Sequence, residues 1–148
     1  MDGKKHRTYV LLGDGECQAG VVWEGAMTAA KYRLANLTAI VDYNDVQLDG
    51  PVHAIMPVEP LMDKWRAFNW ELLEINGHNM RQVLEALDTA EEIHNRPTVI
   101  IAHTTKGKGI SYMENEAYWH KDALENYPQH QPRREPSHYQ AKTHPAMI

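Results

Sequence analysis

The chain has 148 residues, 43% hydrophobic and 24% charged, which is enough for one domain with a substantial core. A formal net charge of -5 with scattered basic residues gives no electrostatic case for nucleic acid or an anionic membrane as partner. No run approaches the ~18 apolar residues of a membrane span, and the single cysteine, Cys17, excludes an internal disulfide and the cysteine-rich zinc patterns.

The opening Met1-Asp2-Gly3-Lys4-Lys5-His6-Arg7 is polar and lacks the apolar core of a signal peptide, so a soluble cytoplasmic protein is the expectation. Thr8-Tyr9-Val10-Leu11-Leu12, ended by glycine, reads as a buried strand. From Ala19 to Leu34 the apolar residues Val22, Ala26, Ala29, Ala30 and Leu34 recur at helical spacing. Its small residues, with Gly25, would let that helix lie close to a sheet. Leu37-Thr38-Ala39-Ile40-Val41 is a second buried strand, and 45–60, rich in Pro, Gly and Asp, an ordered loop. A short helix over 61–68 and a third strand over 70–75 follow. Asn79 is a good N-cap for a helix from Met80 to about Ile93, with Val83, Leu84, Leu87 and Ala90 on one face. Thr98-Val99-Ile100-Ile101-Ala102 is a fourth strand.

This alternation of strand and helix predicts an α/β fold, a three-layer αβα arrangement around a mainly parallel sheet. The domain is expected to span 1–125. Residues 126–148 turn proline-rich and aperiodic, and read as an extended or disordered tail. The tail histidines His130, His138 and His144 match no ligand spacing.

Gly13-Asp14-Gly15 and Asn44 carry the chemistry. They lie 30 residues apart, each at the exit of an apolar run, with one helical stretch between them. In a doubly wound sheet ligands bind beyond the carboxyl ends of the strands, so Asp14 and Asn44 become neighbours in space. A carboxylate and an amide oxygen are hard ligands suited to Mg²⁺ or Ca²⁺, with phosphate oxygens completing the shell. Gly13 and Gly15 permit unusual φ values and close approach of a diphosphate, and the N-terminus of the 19–34 helix offers amide donors. An Asp-Gly pair alone is more often a turn; a helix after it, in place of a second strand, disfavours a hairpin. Met56, Met62, Trp65, Phe68 and Trp70 read as packing and His78 as part of a structural turn. Lys106 and Lys108 read as a polar loop beside Gly107, with an aid to phosphate binding as the alternative.

Gly13-Asp14-Gly15-Glu16 through Asn44 resembles the thiamine diphosphate signature. The surrounding segments resemble the amino-terminal subunit of split transketolases, namely Val10 to Gly15, Trp23-Glu24-Gly25-Ala26-Met27, Asn36 to Asp42, Leu48-Asp49-Gly50-Pro51-Val52, Lys64-Trp65-Arg66-Ala67-Phe68, and Lys106 to Asn115. The likeness runs from about Arg7 to His120. It implies a thiamine diphosphate-binding fold in which Asp14, the Asn44 side chain and the Val46 carbonyl hold Mg²⁺ (or Ca²⁺). Gly13, Gly15 and Asn44 would contact the diphosphate. His120 would lie near the diphosphate and the sugar as a catalytic and cofactor-binding histidine, and Glu24 would belong to a subunit-interface network. The implied activity is transfer of a two-carbon ketol unit between sugar phosphates. It implies an oligomer too, with a pyrimidine-binding carboxyl-terminal transketolase subunit, without which there is no turnover. Another thiamine enzyme, such as a 1-deoxyxylulose-5-phosphate synthase or a ketoacid dehydrogenase component, and a truncated non-catalytic relative are the rival readings. The chain departs from the resemblance at Ala19, where the family places Glu, at Tyr43-Asn44-Asp45, commonly Asn-Asn-Gly, and in lacking the strands and helices expected before Thr8.

Overall fold

The computed structural model describes residues 6–120; the expected tail, its histidines and the boundary at 125 lie outside the described residues. Strand β1 (Thr8–Gly13) leads through a 3₁₀ turn (Gly15–Gln18) into helix α1 (Gly20–Lys31), and then into β2 (Leu37–Tyr43). A minimal hairpin, β3 (Val46–Gln47) with β4 (Gly50–Pro51), and a single helical turn, α2 (Val52–Ile55), occupy the expected loop. Helix α3 (Leu61–Ala67), β5 (Glu71–Asn76), α4 (Met80–Glu92) and β6 (Thr98–His103) follow, and a 3₁₀ turn (Ala117–His120) closes the described chain. The four long strands form one parallel sheet in the order β1-β2-β6-β5.

Side chains alternate across the sheet. On one face Ala39, Val41, Val99 and Ile101 join a core with Ala26 and Ala29 of α1 and Leu61 and Trp65 of α3. The tryptophans fasten these helices together. Trp65 is 1% exposed and packs against Trp23 and Trp70 at ring-centroid distances of 5.2 and 4.9 Å. Trp70 Nε1 donates to the Ala26 carbonyl of α1 at 3.0 Å. On the other face Val83 and Leu87 of α4 lie with Ile40, Ile75 and Ile100 around an open trough of about 550 Å³. Helices thus cover both faces, giving the expected three-layer αβα architecture.

Local chemistry sets the ends of the elements. Asn79 Oδ1 accepts the Arg81 and Gln82 N–H groups at 3.1 and 3.4 Å, capping α4 as expected. Helix α1 stops at Lys31, short of residue 34, because Arg33 takes a left-handed φ of 49° and the Leu34 N–H reaches back to the Ala29 carbonyl.

Three expectations need correction. Strand β1 is not buried: it is the edge of the sheet, and Leu11 is 72% exposed. An apolar run cannot distinguish an edge strand from a central one, since that depends on which neighbours the strand has. Leu84 is 56% exposed, and the buried side chains of α4 are Ala86 and Ala90. Met56 is 59% exposed and lies outside the core, unlike Met62, Trp65, Phe68 and Trp70.

The packing of α1 depends on its small residues. Ala29→Leu is expected to lower the unfolding free energy by about 1–3 kcal/mol through overpacking, read as a lower urea midpoint. Leu11→Ser on the exposed edge should stay within about 0.5 kcal/mol of the parent. Equal effects of the two substitutions would contradict this assignment of core and surface.

Candidate functional site

The site lies beyond the carboxyl ends of the two adjacent strands β1 and β2. They pair in parallel with Gly13 opposite Asp42, so the residues that follow each strand emerge side by side. Asp14 is 2% exposed. Its Oδ1 accepts the Gly15 N–H at 2.8 Å, and its Oδ2 accepts the N–H groups of Asn44 and Asp45 at 3.0 and 2.5 Å. Among the described residues no ion pair reaches this carboxylate. Burial is the largest influence on it and lifts its pKa above the usual range, against the opposing pull of the three backbone N–H donors.

The Asn44 side chain is held from two directions. Its Nδ2 donates to Asp42 Oδ2 at 2.9 Å, and its Oδ1 accepts the Val46 N–H at 2.9 Å. Asp42 Oδ1 in turn accepts the Thr104 hydroxyl from the segment after β6. Asp45 follows with a left-handed φ of 59°. Its carboxylate accepts the His53 N–H at 3.0 Å and pairs with the His53 ring, and its carbonyl accepts the Val52 N–H at 2.9 Å. The position that commonly holds Gly in the resemblance is therefore one that favours glycine. Asp is among the few other residues that tolerate it, and here hydrogen bonds to the next turn support it.

Gly13, Asp14, Gly15, Glu16, Asp42, Asn44, Val46, Gln47, Leu48, Lys106 and His120 line one open cavity of about 460 Å³. Every residue expected to bind cofactor or metal is in it. His120 arrives from the far end of the described chain. The 3₁₀ turn carrying it is steadied by Trp119, whose Nε1 donates to the Tyr112 carbonyl at 3.0 Å and whose ring packs against Tyr112 and Tyr118. Lys106 lines the cavity, whereas Lys108 turns away to Glu114 at 3.4 Å. Between them Gly107 has φ 73°, and a Cβ there would meet the Met113 carbonyl oxygen at 2.5 Å, so the lysine loop tolerates only glycine. His78 accepts the Thr105 N–H at 2.7 Å and is structural, as expected. Glu24 is exposed and does not line the cavity.

The glycines and the helix end work differently from expectation. Among the described residues, positive φ occurs at Gly50, Gly107 and Gly109, and not at Gly13 or Gly15. What Gly15 supplies is room, since a Cβ would sit 3.0 Å from Gln47 Cβ. The Gly13 N–H is taken by Glu16 Oε2 at 2.6 Å. The 3₁₀ turn, rather than the N-terminus of α1, borders the cavity. Cys17 is buried behind this turn, its thiol pushed up to about 12 by desolvation and then by Asp14 and Glu16, which leaves it inert. Asp42, Glu16, Gln47 and Thr104 are the participants that sequence reasoning assigned no role. For Asp42 a signal was present: residues two apart on an extended segment share a side, and Asp42 stands two before Asn44.

The donor set consists of one carboxylate, one side-chain amide oxygen and backbone carbonyls, all hard oxygen donors. Among the described residues no cluster of three or more His, Cys, Asp or Glu forms a complete metal cage. The residues therefore fit a cation that takes its remaining oxygens from a bound anion. No described helix is long and apolar enough to cross a membrane.

The family model for the thiamine diphosphate-binding domain of transketolase matches residues 1–141. One of the paired chains of the apulose-4-phosphate transketolase of Phocaeicola vulgatus is 43% identical over 120 residues, covering 81% of this chain and 43% of the relative. The 6-deoxy-6-sulfo-D-fructose transketolase subunit SqwG of a Clostridium species is 42% identical over 124 residues, covering 84% of this chain and 45% of the relative. The chain thus spans less than half the length of these relatives. The solved transketolase of Campylobacter jejuni superposes with a TM-score of 0.72 at 32% identity, over 77% of this chain and 18% of that one.

Asp14→Ala would strand three backbone N–H donors, two of them on the β2 side of the site. We expect a loss of at least about 2 kcal/mol of stability, from desolvated donors without partners. The sign of its pH dependence also follows. Because the folded carboxyl binds its proton more tightly than the unfolded one, its contribution to stability falls as pH rises from about 3.9 through the raised folded value. Urea midpoints of wild type and Asp14→Ala across that range should therefore converge as pH rises. A constant difference would contradict the burial of this charge.

Proposed function

The chain belongs to the transketolase family of thiamine diphosphate-binding domains, and from that premise we propose that it supplies the diphosphate half of a thiamine diphosphate site. The observation that carries this reading is Asp14, a buried carboxylate with no cationic partner among the described residues, facing a cavity shared with Asn44, Val46 and His120. A buried charge without a counter-charge is costly, and a divalent cation bridging Asp14 to a diphosphate would offset it. Mg²⁺, with Ca²⁺ as substitute, is the fitting ion for these donors. Asp14, Asn44 Oδ1 and the Val46 carbonyl would hold it.

The cofactor, when bound, supplies the carbon chemistry that breaks and makes carbon–carbon bonds. The chain's own residues do the rest. Gly15 keeps the wall opposite Gln47 low, so that a phosphate can approach the backbone, and the ammonium group of Lys106 adds positive charge on the same side. His120, exposed on the cavity rim, is placed to hold or move a proton on a sugar hydroxyl, the work to which imidazole is suited. The activity that fits is two-carbon ketol transfer between sugar phosphates. These anions do not cross membranes unaided, which favours a cytoplasmic setting.

A partner is part of the proposal. Nothing in the described cavity provides the carboxylate that would activate an aminopyrimidine, and a pyrimidine-binding transketolase subunit is the natural source. Tyr9, Val10 and Leu11 stand exposed along the β1 edge, which supports further protein packing there. The names of the split relatives, which are subunits, point the same way.

Thiamine diphosphate with Mg²⁺ is expected to raise the melting temperature, by the equivalent of about 2.7 kcal/mol at a hundredfold excess over Kd, and Asn44→Ala should abolish the rise. Ketol transfer should appear only when a pyrimidine-binding subunit is added. No shift in the wild-type chain would contradict cofactor binding, and robust turnover by the isolated chain would contradict the half-site.

A further inference from the structure

We propose that Asp42 is a positioning residue that decides which end of the Asn44 amide faces the cavity. The inference rests on the metal-site reading above and deepens it. A side-chain amide has an oxygen that attracts a cation and an NH₂ group that repels one, and rotating its last torsion by half a turn exchanges them. Only one of these two orientations can ligate.

The surroundings of Asn44 select that orientation. An ionised carboxylate accepts hydrogen bonds and donates none, so Asp42 Oδ2, 2.9 Å from Asn44 Nδ2, tolerates only the NH₂ end. The opposite end, Oδ1, accepts the Val46 N–H at 2.9 Å and is left beside the Asp14 carboxylate in the shared cavity. Asp42 itself is fixed. Its backbone lies in β2 between Gly13 of β1 and Ala102 of β6, its carbonyl accepts the Asp14 N–H at 3.2 Å, and the Thr104 hydroxyl donates to its Oδ1. Thr104 is seated in turn: its N–H donates to the Tyr43 carbonyl at 3.2 Å, and a Cβ on Gly77 would meet its methyl at 2.5 Å. Strands β1, β2 and β6 thus converge on the orientation of one amide. Replacing such an outer carboxylate typically lowers metal affinity about 10–100-fold.

The carboxylate of Asp42 could also act through charge alone, and a double-mutant cycle separates the two effects. In the Asn44→Asp background the ligand presents oxygen whichever way it turns, so orientation no longer matters while the charge of Asp42 still does. The probe is Mn²⁺ with thiamine diphosphate, its affinity read by water-proton relaxation on the full chain, with circular dichroism checking the fold of each variant. Asp42→Asn is expected to weaken Mn²⁺ binding about 10-fold or more in the native background and little in the Asn44→Asp background. Thr104→Val, which frees Asp42 without removing any charge, should show the same dependence on background and serves if Asp42→Asn does not fold. Equal losses in both backgrounds, or no loss in the native one, would overturn the positioning role and leave the metal site standing. A wild-type chain that binds no Mn²⁺ would overturn the metal-site reading and this inference with it.

Discussion

Three backbone N–H groups pointing at one buried carboxylate hold the candidate site together. Asp14 ends β1, and two of the three donors belong to Asn44 and Asp45, which follow β2. The side chain therefore joins the carboxyl ends of two strands that the sheet has already placed in register. This arrangement is strained electrostatically as long as the charge lacks a counter-ion, because the same burial that excludes water penalises the anion. The structure tolerates the cost through backbone hydrogen bonds, and the cation proposed for the cavity would turn it into binding energy.

The rest of the fold maintains that junction. The small residues Ala26 and Ala29 let α1 lie close against the sheet, and Trp70 fastens α1 through the Ala26 carbonyl. That packing fixes the crossover from β1 to β2, and with it the position of Gly13 opposite Asp42. The sheet order brings β6 against β2, so Thr104, remote in sequence, reaches Asp42. Gly107 shapes the next loop so that Lys106 faces the cavity and Lys108 does not. The His120 turn then completes one wall under the hold of Trp119.

The fold was legible in the sequence because its signals are local and repetitive. Thr98 to Ala102 is buried almost throughout, as an unbroken apolar run in a central strand should be, and Asn79 caps α4 as its residue type suggests. What the sequence could not reveal was neighbourhood. Val10-Leu11-Leu12 has the composition of a central strand and sits at an edge, and Leu84 matches the helical period of its neighbours yet faces outward. The pairing of Asp14 with Asn44 was readable because both follow strands joined by a single helix. The support from Thr104 was not, since it depends on β6 lying beside β2 with 62 residues between the contacting side chains. The glycines misled for a physical reason: Gly15 is needed for the space beside Gln47, which no spacing pattern encodes, and not for a left-handed backbone.

Where a cation sits decides between a working half-site and an inert relative of the same fold. Crystals of the chain grown with Mn²⁺ and thiamine diphosphate would answer directly through the anomalous scattering of the metal. We expect a single strong peak in contact with the Asp14 carboxylate, Asn44 Oδ1 and the diphosphate oxygens. A diphosphate bound without metal, or a peak away from Asp14, would contradict the site described above.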